Sequence, residues 1–586
     1  MSFDISFYQL LYKIVAGDTK NISKVDYAPQ KPRFENLPIE QPFERATPES
    51  QGIRSSYIRG FLKDIADEEV INPHHIMILR HGKVIAECSF APYRRGMWHA
   101  VNSMSKSLTG MAVGIAVGED KLSPNAKISE IFPGAGKTLP SREYKELAVK
   151  HLLTMTSGVD FAETGAVSGN NWLQGYLKAG FKNPPGTEFD YNSMNSYVLS
   201  AIIQEIYGVP MDEFIRERLF DPMGIKEFFW EHDPAGICKG GWGLFLKSED
   251  AAKLGWLYMN KGVWNGEQLV PEHWVEVSLR SHADNGRFGY GCQIWMDDRP
   301  GSFAYNGLFG QNVICYPDTD MIICINAGDQ EIFADGVLTR IRRKYFGEGF
   351  EPSENHLPED PDEFSALNET IAYYENTPHM LLPEKTPEWG FRKRETNPVS
   401  IDEFISVLRG HYFELEQART GLFPIVCQVM HNNYSEGIAK IGFDSVADTL
   451  FLLVKEGKWE NRLKVGFMKA EISTVMLYSE PYLAGVTGKL SVDENGHTVL
   501  MLEIAFLEEA CSRLIKIIFE GTEITVETGE VPGNMIINDV LRMSGDQTSV
   551  TKLPFVKNLT SGDAKVIIDQ VVQSAMQGTD KGHLVM

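Results

Sequence analysis

Runs of apolar residues divide the chain into regions of different texture. Ile76-Met77-Ile78-Leu79 and Val84-Ile85-Ala86 flank Arg80-His81-Gly82-Lys83, which predicts a β-hairpin. Ahead of it, Thr47-Pro48-Glu49 opens a helical pattern that runs on through 56–68, with Pro48 suited to a first helical turn. After it, Leu108, Met111, Val113, Ile115, Ala116 and Val117 crowd one segment and predict a buried helix. Helices and loops are expected from about 119 to 235. Strand patterns return at 289–295, 312–316 and 321–325, with Pro317-Asp318 turning between the last two, and a helix is expected over 332–345. Strands at both ends of a segment with helices between them predict an α+β fold, one sheet assembled from distant parts of the chain.

Beyond 400 the pattern changes. Leu450-Phe451-Leu452-Leu453-Val454, Leu463-Lys464-Val465-Gly466-Phe467 and Thr498-Val499-Leu500-Met501-Leu502-Glu503-Ile504 read as strands, and Asp493-Glu494-Asn495-Gly496 is a tight hairpin signal. Two further runs, Ile515-Lys516-Ile517-Ile518-Phe519 and Glu523-Ile524-Thr525-Val526-Glu527, flank Glu520-Gly521-Thr522. These predict a C-terminal all-β, barrel-like domain, a closed or nearly closed antiparallel sheet, with a last helix over 564–576. Residues 347–398 carry Pro352, Pro358, Pro361, Pro378, Pro383 and Pro387 with the acidic cluster Glu359, Asp360, Asp362 and Glu363. That composition resists forming its own core and reads as a linker, although two helical pieces in it could pack on a neighbour. The expected organisation is an N-terminal extension over 1–45 (a short helix over 7–15, then Pro29, Pro32, Pro38 and Pro42), an α+β domain over 46–346, a linker over 347–398 and a β-rich domain over 399–586. A chain of 586 residues exceeds one ordinary core, in keeping with that division.

Charge narrows the partners. The formal net charge of −23 argues against nucleic acid and anionic membrane, both of which need a basic footprint. Seven cysteines, an odd number with no Cys-x-x-Cys, sit mostly in apolar runs and read as free core thiols of a reducing compartment. The first residues have an early acid, no basic stretch and no cleavage site, and no run of about 18 apolar residues occurs, so a cytoplasmic location without membrane attachment is expected.

The chemistry is concentrated at the head of the buried helix, in Asn102-Ser103-Met104-Ser105-Lys106. Residues three apart share a helix face, so Lys106 is placed to reach the Ser103 hydroxyl. A serine is a weak nucleophile until a neighbour takes its proton, and a lysine can do so only if burial lowers its pKa. A first-turn serine also faces the positive end of the helix dipole, which favours an oxyanion there. Alone, the pair reads equally well as a helix-capping serine and a solvated lysine. The spacing recurs at Ser549-Val550-Thr551-Lys552, where no apolar helix follows and a loop is expected. Farther on, Pro185-Gly186-Thr187-Glu188-Phe189-Asp190-Tyr191-Asn192-Ser193 presents Tyr191 from a loop ahead of a helix; a phenol near a lysine can serve as general base, though alone it reads as an ordinary loop tyrosine.

Taken in order, Ser103-x-x-Lys106, His151-Leu152-Leu153-Thr154-Met155-Thr156-Ser157-Gly158, Pro185-Gly186-Thr187-x-Phe189-x-Tyr191-x-Ser193, Gly240-Gly241-Trp242-Gly243-Leu244 with Ser248-Glu249-Asp250, and Gly307-Leu308-Phe309-Gly310-Gln311 resemble the serine β-lactamase and penicillin-binding-protein family. The class C-like branch, with its esterases, D-aminopeptidases and nylon-oligomer hydrolases, is the most similar. The resemblance covers about 45–346 and implies an antiparallel sheet flanked by helices with a helical subdomain. It implies that Ser103 is the acylated nucleophile, that Lys106 and Tyr191 transfer its proton in an order left open, and that the oxyanion hole is the backbone N–H of Ser103 with that of Leu308, on the strand after Gly307. Ser193 would bond Lys106 or the substrate. Relatives that recognise penicillins carry Lys or His two residues before the third-motif glycine, where this chain has Tyr305-Asn306-Gly307, so a carboxylate-binding cation is missing and β-lactam hydrolysis is expected to be weak or absent.

The expected activity is therefore hydrolysis of a small-molecule ester or amide through a Ser103 acyl-enzyme, with no cofactor and no metal. Acyl transfer from the same acyl-enzyme, and a binding or regulatory protein with an idle pocket, are the alternatives. A metallohydrolase is disfavoured, because there is no His-x-His-x-Asp-His or His-Glu-x-x-His and His74-His75 stands alone. Trp98, Trp172, Tyr176, Trp242 and Tyr305 are candidates for an aromatic cleft wall, equally readable as core, with Trp172 favoured because its loop is polar. The C-terminal domain shows no catalytic cluster; it could cover the cleft, select substrates or supply a homo-oligomer contact through its strand edges.

Overall fold

The computed structural model describes residues 28–585, apart from 135–140, 167–168, 331–335, 379–399, 419, 448 and 534–576. The short helix expected over 7–15, the second Ser-x-x-Lys at 549–552 and the last helix over 564–576 lie outside the described residues. Along the first part of the chain run β1 (Glu44–Arg45), α1 (Ser55–Ala66), β2 (Pro73–Arg80), β3 (Lys83–Ser89), β4 (Trp98–Ala100), α2 (Ser105–Gly118), α3 (Ser193–Tyr207), β5 (Phe229–Trp230), β6 (Leu244–Lys247), α4 (Ser248–Met259), β7 (Trp295–Met296), β8 (Phe303–Gly307), β9 (Gln311–Tyr316), β10 (Met321–Ala327) and α5 (Val337–Phe346). Seven strands form one sheet in the order β1-β3-β2-β10-β9-β8-β7, antiparallel except for the β1–β3 pair. The expected hairpin is β2–β3, and the sheet does join strands more than 200 residues apart.

Both faces of this sheet are covered, which explains its unbroken apolar runs. Alternate residues serve opposite cores: Ile76 and Ile78 of β2 face α1 and α5, while Met77 and Leu79 face the side of α2 and α3. The expected single helix over 47–68 is interrupted. A 3-10 turn over Glu49–Gln51 ends at Gly52, whose φ of 74° breaks the helical path, and the Glu49 carboxylate then accepts from the Ser55 N–H to start α1. The strand expected over 289–295 shrinks to β7; the residues before it make only isolated bridges, centred on Tyr290. Within the stretch read as a linker, α6 (Pro361–Asn376) buries Leu367 and Ile371 against the α1 side of the sheet.

The C-terminal part holds α7 (Ile425–His431) and ten antiparallel strands: β11 (Tyr412–Leu415), β12 (Ile438–Val446), β13 (Thr449–Glu456), β14 (Trp459–Val465), β15 (Glu471–Leu477), β16 (Glu480–Val492), β17 (Thr498–Phe506), β18 (Ser512–Glu520), β19 (Glu523–Val531) and β20 (Gly578–Val585). Their order is β14-β13-β12-β11-β20-β19-β18-β17-β16-β15, around a second hydrophobic core. The two end strands approach each other: Asn461 of β14 exchanges side-chain hydrogen bonds with the Met476 backbone of β15, and the Lys464 N–H donates to Ser473 Oγ. The sheet is thus nearly closed, as expected, and its edges are covered by one another. Among the described residues no helix is long and apolar enough to cross a membrane.

Candidate active site

Strand β4 leads into a 3-10 turn over Asn102–Met104, and α2 follows without a break. Asn102 sits at φ 51°, a left-handed conformation that asparagine tolerates, and its amide donates to the Leu308 carbonyl at 3.1 Å. This turn holds Ser103 half-exposed at the mouth of a helix otherwise buried nearly all round. One turn on, Lys106 is 1% exposed, and its ammonium donates to Ser103 Oγ at 2.8 Å and to the Gly241 carbonyl at 2.7 Å. Burial pulls the Lys106 pKa down to about 7, partly opposed by the negative charge of Glu163.

Tyr191 stands beside the lysine, its ring centroid 5.0 Å from Lys106 Nζ. Burial pushes its phenol above the ordinary value; a hydrogen bond with Ser103 pulls the other way, and Glu163 adds to the rise. The ring packs on Trp295 and Tyr290, with centroids 5.3 and 6.2 Å away. Of the expected group, Ser103, Lys106 and Tyr191 therefore come together.

The third motif explains its glycine. A Cβ on Gly307 would lie 2.2 Å from the Val101 carbonyl oxygen and 3.3 Å from the Met104 nitrogen, so β8 abuts the Asn102–Met104 turn only because nothing projects there. Leu308 then opens a turn rather than continuing the strand. Asn306 faces outward and donates to Asn312 Oδ1. Tyr305 is wholly buried, its hydroxyl 3.4 Å from the Leu254 carbonyl and its ring against Tyr258, so its side chain belongs to the core and not to the cleft. Ser193 enters through its backbone, its N–H donating to Glu163 Oε1 at 2.9 Å. Trp98 and Tyr176 are also core residues. Trp172 is buried too, stacked on Trp242 at 5.5 Å, and lines a cavity of about 300 Å³ shared with Glu231, Lys239 and His431.

Sequence reasoning missed Glu163, an acid that acts on both Lys106 and Tyr191, and Trp295; neither belongs to a motif, and only the fold brings them in. It also missed a metal-like trio, Asp212, His232 and Cys238, whose ligand atoms lie within 4.8 Å of one another. His232 Nε2 and Asp212 Oδ1 are already bonded at 2.8 Å, and burial pushes the Cys238 thiol well up, away from the thiolate a metal needs.

Part of the chain is similar to known proteins. The Beta-lactamase family model matches residues 63–339. The 6-aminohexanoate-dimer hydrolase of Paenarthrobacter ureafaciens is 25% identical over 314 residues, 47% of this chain and 78% of that protein. Penicillin-binding protein 4 of Amycolatopsis lactamdurans is 26% identical over 157 residues, and the match spans 26% of this chain and only 39% of that protein. Among solved structures, EstCE1, a hydrolase with promiscuous acyltransferase activity, aligns with 50% of this chain and 98% of its own at 16% identity and a TM-score of 0.43.

Proposed function

We propose, from the premise that residues 63–339 are a domain of the beta-lactamase family of hydrolases, that this chain is a serine hydrolase cleaving esters or amides through an acyl-enzyme on Ser103. The observation that carries the reading is the buried Lys106 ammonium, 2.8 Å from Ser103 Oγ with its pKa drawn down to about 7. Near neutral pH a substantial fraction of Lys106 is a free amine, able to accept the serine proton as Oγ attacks a carbonyl. The tetrahedral oxygen would lie between the backbone N–H groups of Ser103 and Leu308. Tyr191, whose phenol is held protonated by burial, is then the donor that passes a proton to the departing alcohol or amine. Water attacking the acyl-enzyme by the reverse relay frees the acid. Thus Lys106 is assigned as the base of acylation and Tyr191 as the relay to the leaving group.

The test is intact mass after exposure to a fluorophosphonate, a p-nitrophenyl ester and a penicillin. The expected result is one fluorophosphonate adduct, lost in Ser103→Ala, with ester turnover and little penicillin adduct. A stable penicillin adduct would point to penicillin binding, and no adduct at all would leave an idle pocket.

A further inference from the structure

The C-terminal part does more than stand beside the cleft. Two rims border Ser103: the Gly240–Gly243 loop, whose Gly241 carbonyl holds Lys106, and the turn opened by Leu308 after the glycine that touches the nucleophile's backbone. Helix α7 bridges them. At its C-terminal end the Met430 carbonyl accepts from Trp242 Nε1 at 3.2 Å and from Lys239 Nζ at 3.0 Å. On the opposite rim the half-buried side chains of Met430 and Val426, together with Leu308, pack on a small apolar cluster of Phe309 and Ala510. One short helix, more than 300 residues from the nucleophile in sequence, thus ties together the two edges of the site.

The orientation of the substrate follows from the proton relay. The leaving group must depart beside its proton donor, Tyr191, which is walled by Tyr290 and Trp295. In this orientation the other substituent of the carbonyl would extend away from Tyr191, toward the rim formed by Leu308, Trp242 and α7. That wall is apolar. Lys239, over the Trp242 ring, is already held by Glu231 at 2.7 Å and by the Met430 carbonyl, so it offers no ready charge for a carboxylate. We propose that Met430 and Val426 of α7 form the far wall of the acyl-binding subsite and select neutral aliphatic acyl groups by length. This rests on the acyl-enzyme reading above.

The experiment compares p-nitrophenyl acetate, butyrate and octanoate as substrates of the full-length protein, reading the ratio of kcat/KM for octanoate to that for acetate within each variant. Met430→Ala is expected to raise the ratio about 10-fold by opening the wall, and Met430→Phe to lower it by a similar factor, as expected for a methylene-scale change in an apolar pocket. Val426→Ala should act in the same direction as Met430→Ala and serves if the latter does not fold. A series of acetates differing only in the leaving alcohol should keep its order in all variants. An unmoved acyl ratio in folded variants whose Ser103 still takes the fluorophosphonate would overturn the assignment, as would a change confined to the leaving-alcohol series. Absence of the Ser103 adduct in the unmodified protein would instead remove the acyl-enzyme reading and the subsite with it.

Discussion

At the scale of single residues, the site depends on a charge that burial suppresses. Lys106 titrates near 7 and not near 10.5 because its surroundings penalise the ammonium, and Glu163 limits the drop. Two consequences follow for the acylation step. With Lys106 as the proposed base of acylation, the free amine is the working form, and kcat/KM should rise with pH along a limb centred near 7. Glu163→Gln keeps an oxygen to accept from the Ser193 N–H but removes the negative charge, so the Lys106 pKa should fall further and the limb should move to lower pH. A pH–rate profile of both proteins checks this; an unmoved limb would show that Glu163 does not govern Lys106. Replacing Lys106 by Met should lower kcat by about 10²–10⁴, the usual range for loss of a general base. Ser103 and Lys106 were legible in the chain because helical spacing fixes their relation whatever surrounds them. Glu163 was not, since it reaches the pair from a four-residue helix about 60 positions away, in a stretch with no periodicity of its own.

At the scale of elements, the sheet was legible where strands are long and apolar, as in β2, β3, β9 and β10. It was misread where tertiary contacts override local pattern. The run at 289–295 has the composition of a strand, yet Gly289 lies at φ 103° and Gln293 at φ 66°, and the chain loops so that the Gln293 side chain can bond Ser196 and the carbonyls of Leu152 and Leu153. The approach of β8 to the turn that holds Ser103 is likewise a matter of packing, visible in sequence only as a glycine. Gly307→Ala tests it directly. A Cβ placed 2.2 Å from a backbone oxygen must push the two elements apart, so the fold should survive while the proposed alignment of the Leu308 N–H with Ser103 is lost. A displacement near 1 Å is enough to cost about 10²-fold in rate. Ester turnover together with near-ultraviolet circular dichroism would separate this from unfolding; full activity in the variant would mean that the junction yields without consequence.

At the scale of the whole molecule, the two parts meet through buried charge as well as apolar surface. The Ala100 N–H, on the strand that delivers Ser103, donates to the Glu508 carbonyl at 2.8 Å, and Lys31 pairs with the Glu508 carboxylate at 2.6 Å. His431, at the end of α7, lies between Glu231 at 2.8 Å and Glu509 at 3.2 Å, with Lys239 on the far side of Glu231. These carboxylates outweigh the cost of burial and lift His431 to about 10, while Glu231 is held down at about 2, its own burial overcome by His431 and Lys239. None of this could be read from a chain in which the partners lie 200 residues apart. The consequence for stability has a definite sign. A histidine whose folded pKa is raised from 6.5 contributes fully below that value and loses its contribution as the pH climbs through about 10. Glu231, shifted the other way, contributes above its ordinary 4.5 and fails only as the pH falls through about 2. His431→Phe leaves two buried carboxylates facing an apolar ring, and should cost about 3–5 kcal/mol, the usual penalty for removing one member of a buried ion pair. Urea midpoints measured from pH 6 to 10 give the specific signature: the difference between the unmodified protein and the variant should be largest near pH 6 and shrink steadily toward pH 10. A difference constant across that range would mean that His431 acts by packing and not by charge. Because α7 also carries Met430, loosening this clamp should lower ester turnover before the barrel itself unfolds, so in a urea titration activity should fall at a lower concentration than the far-ultraviolet signal, and by a wider margin in His431→Phe.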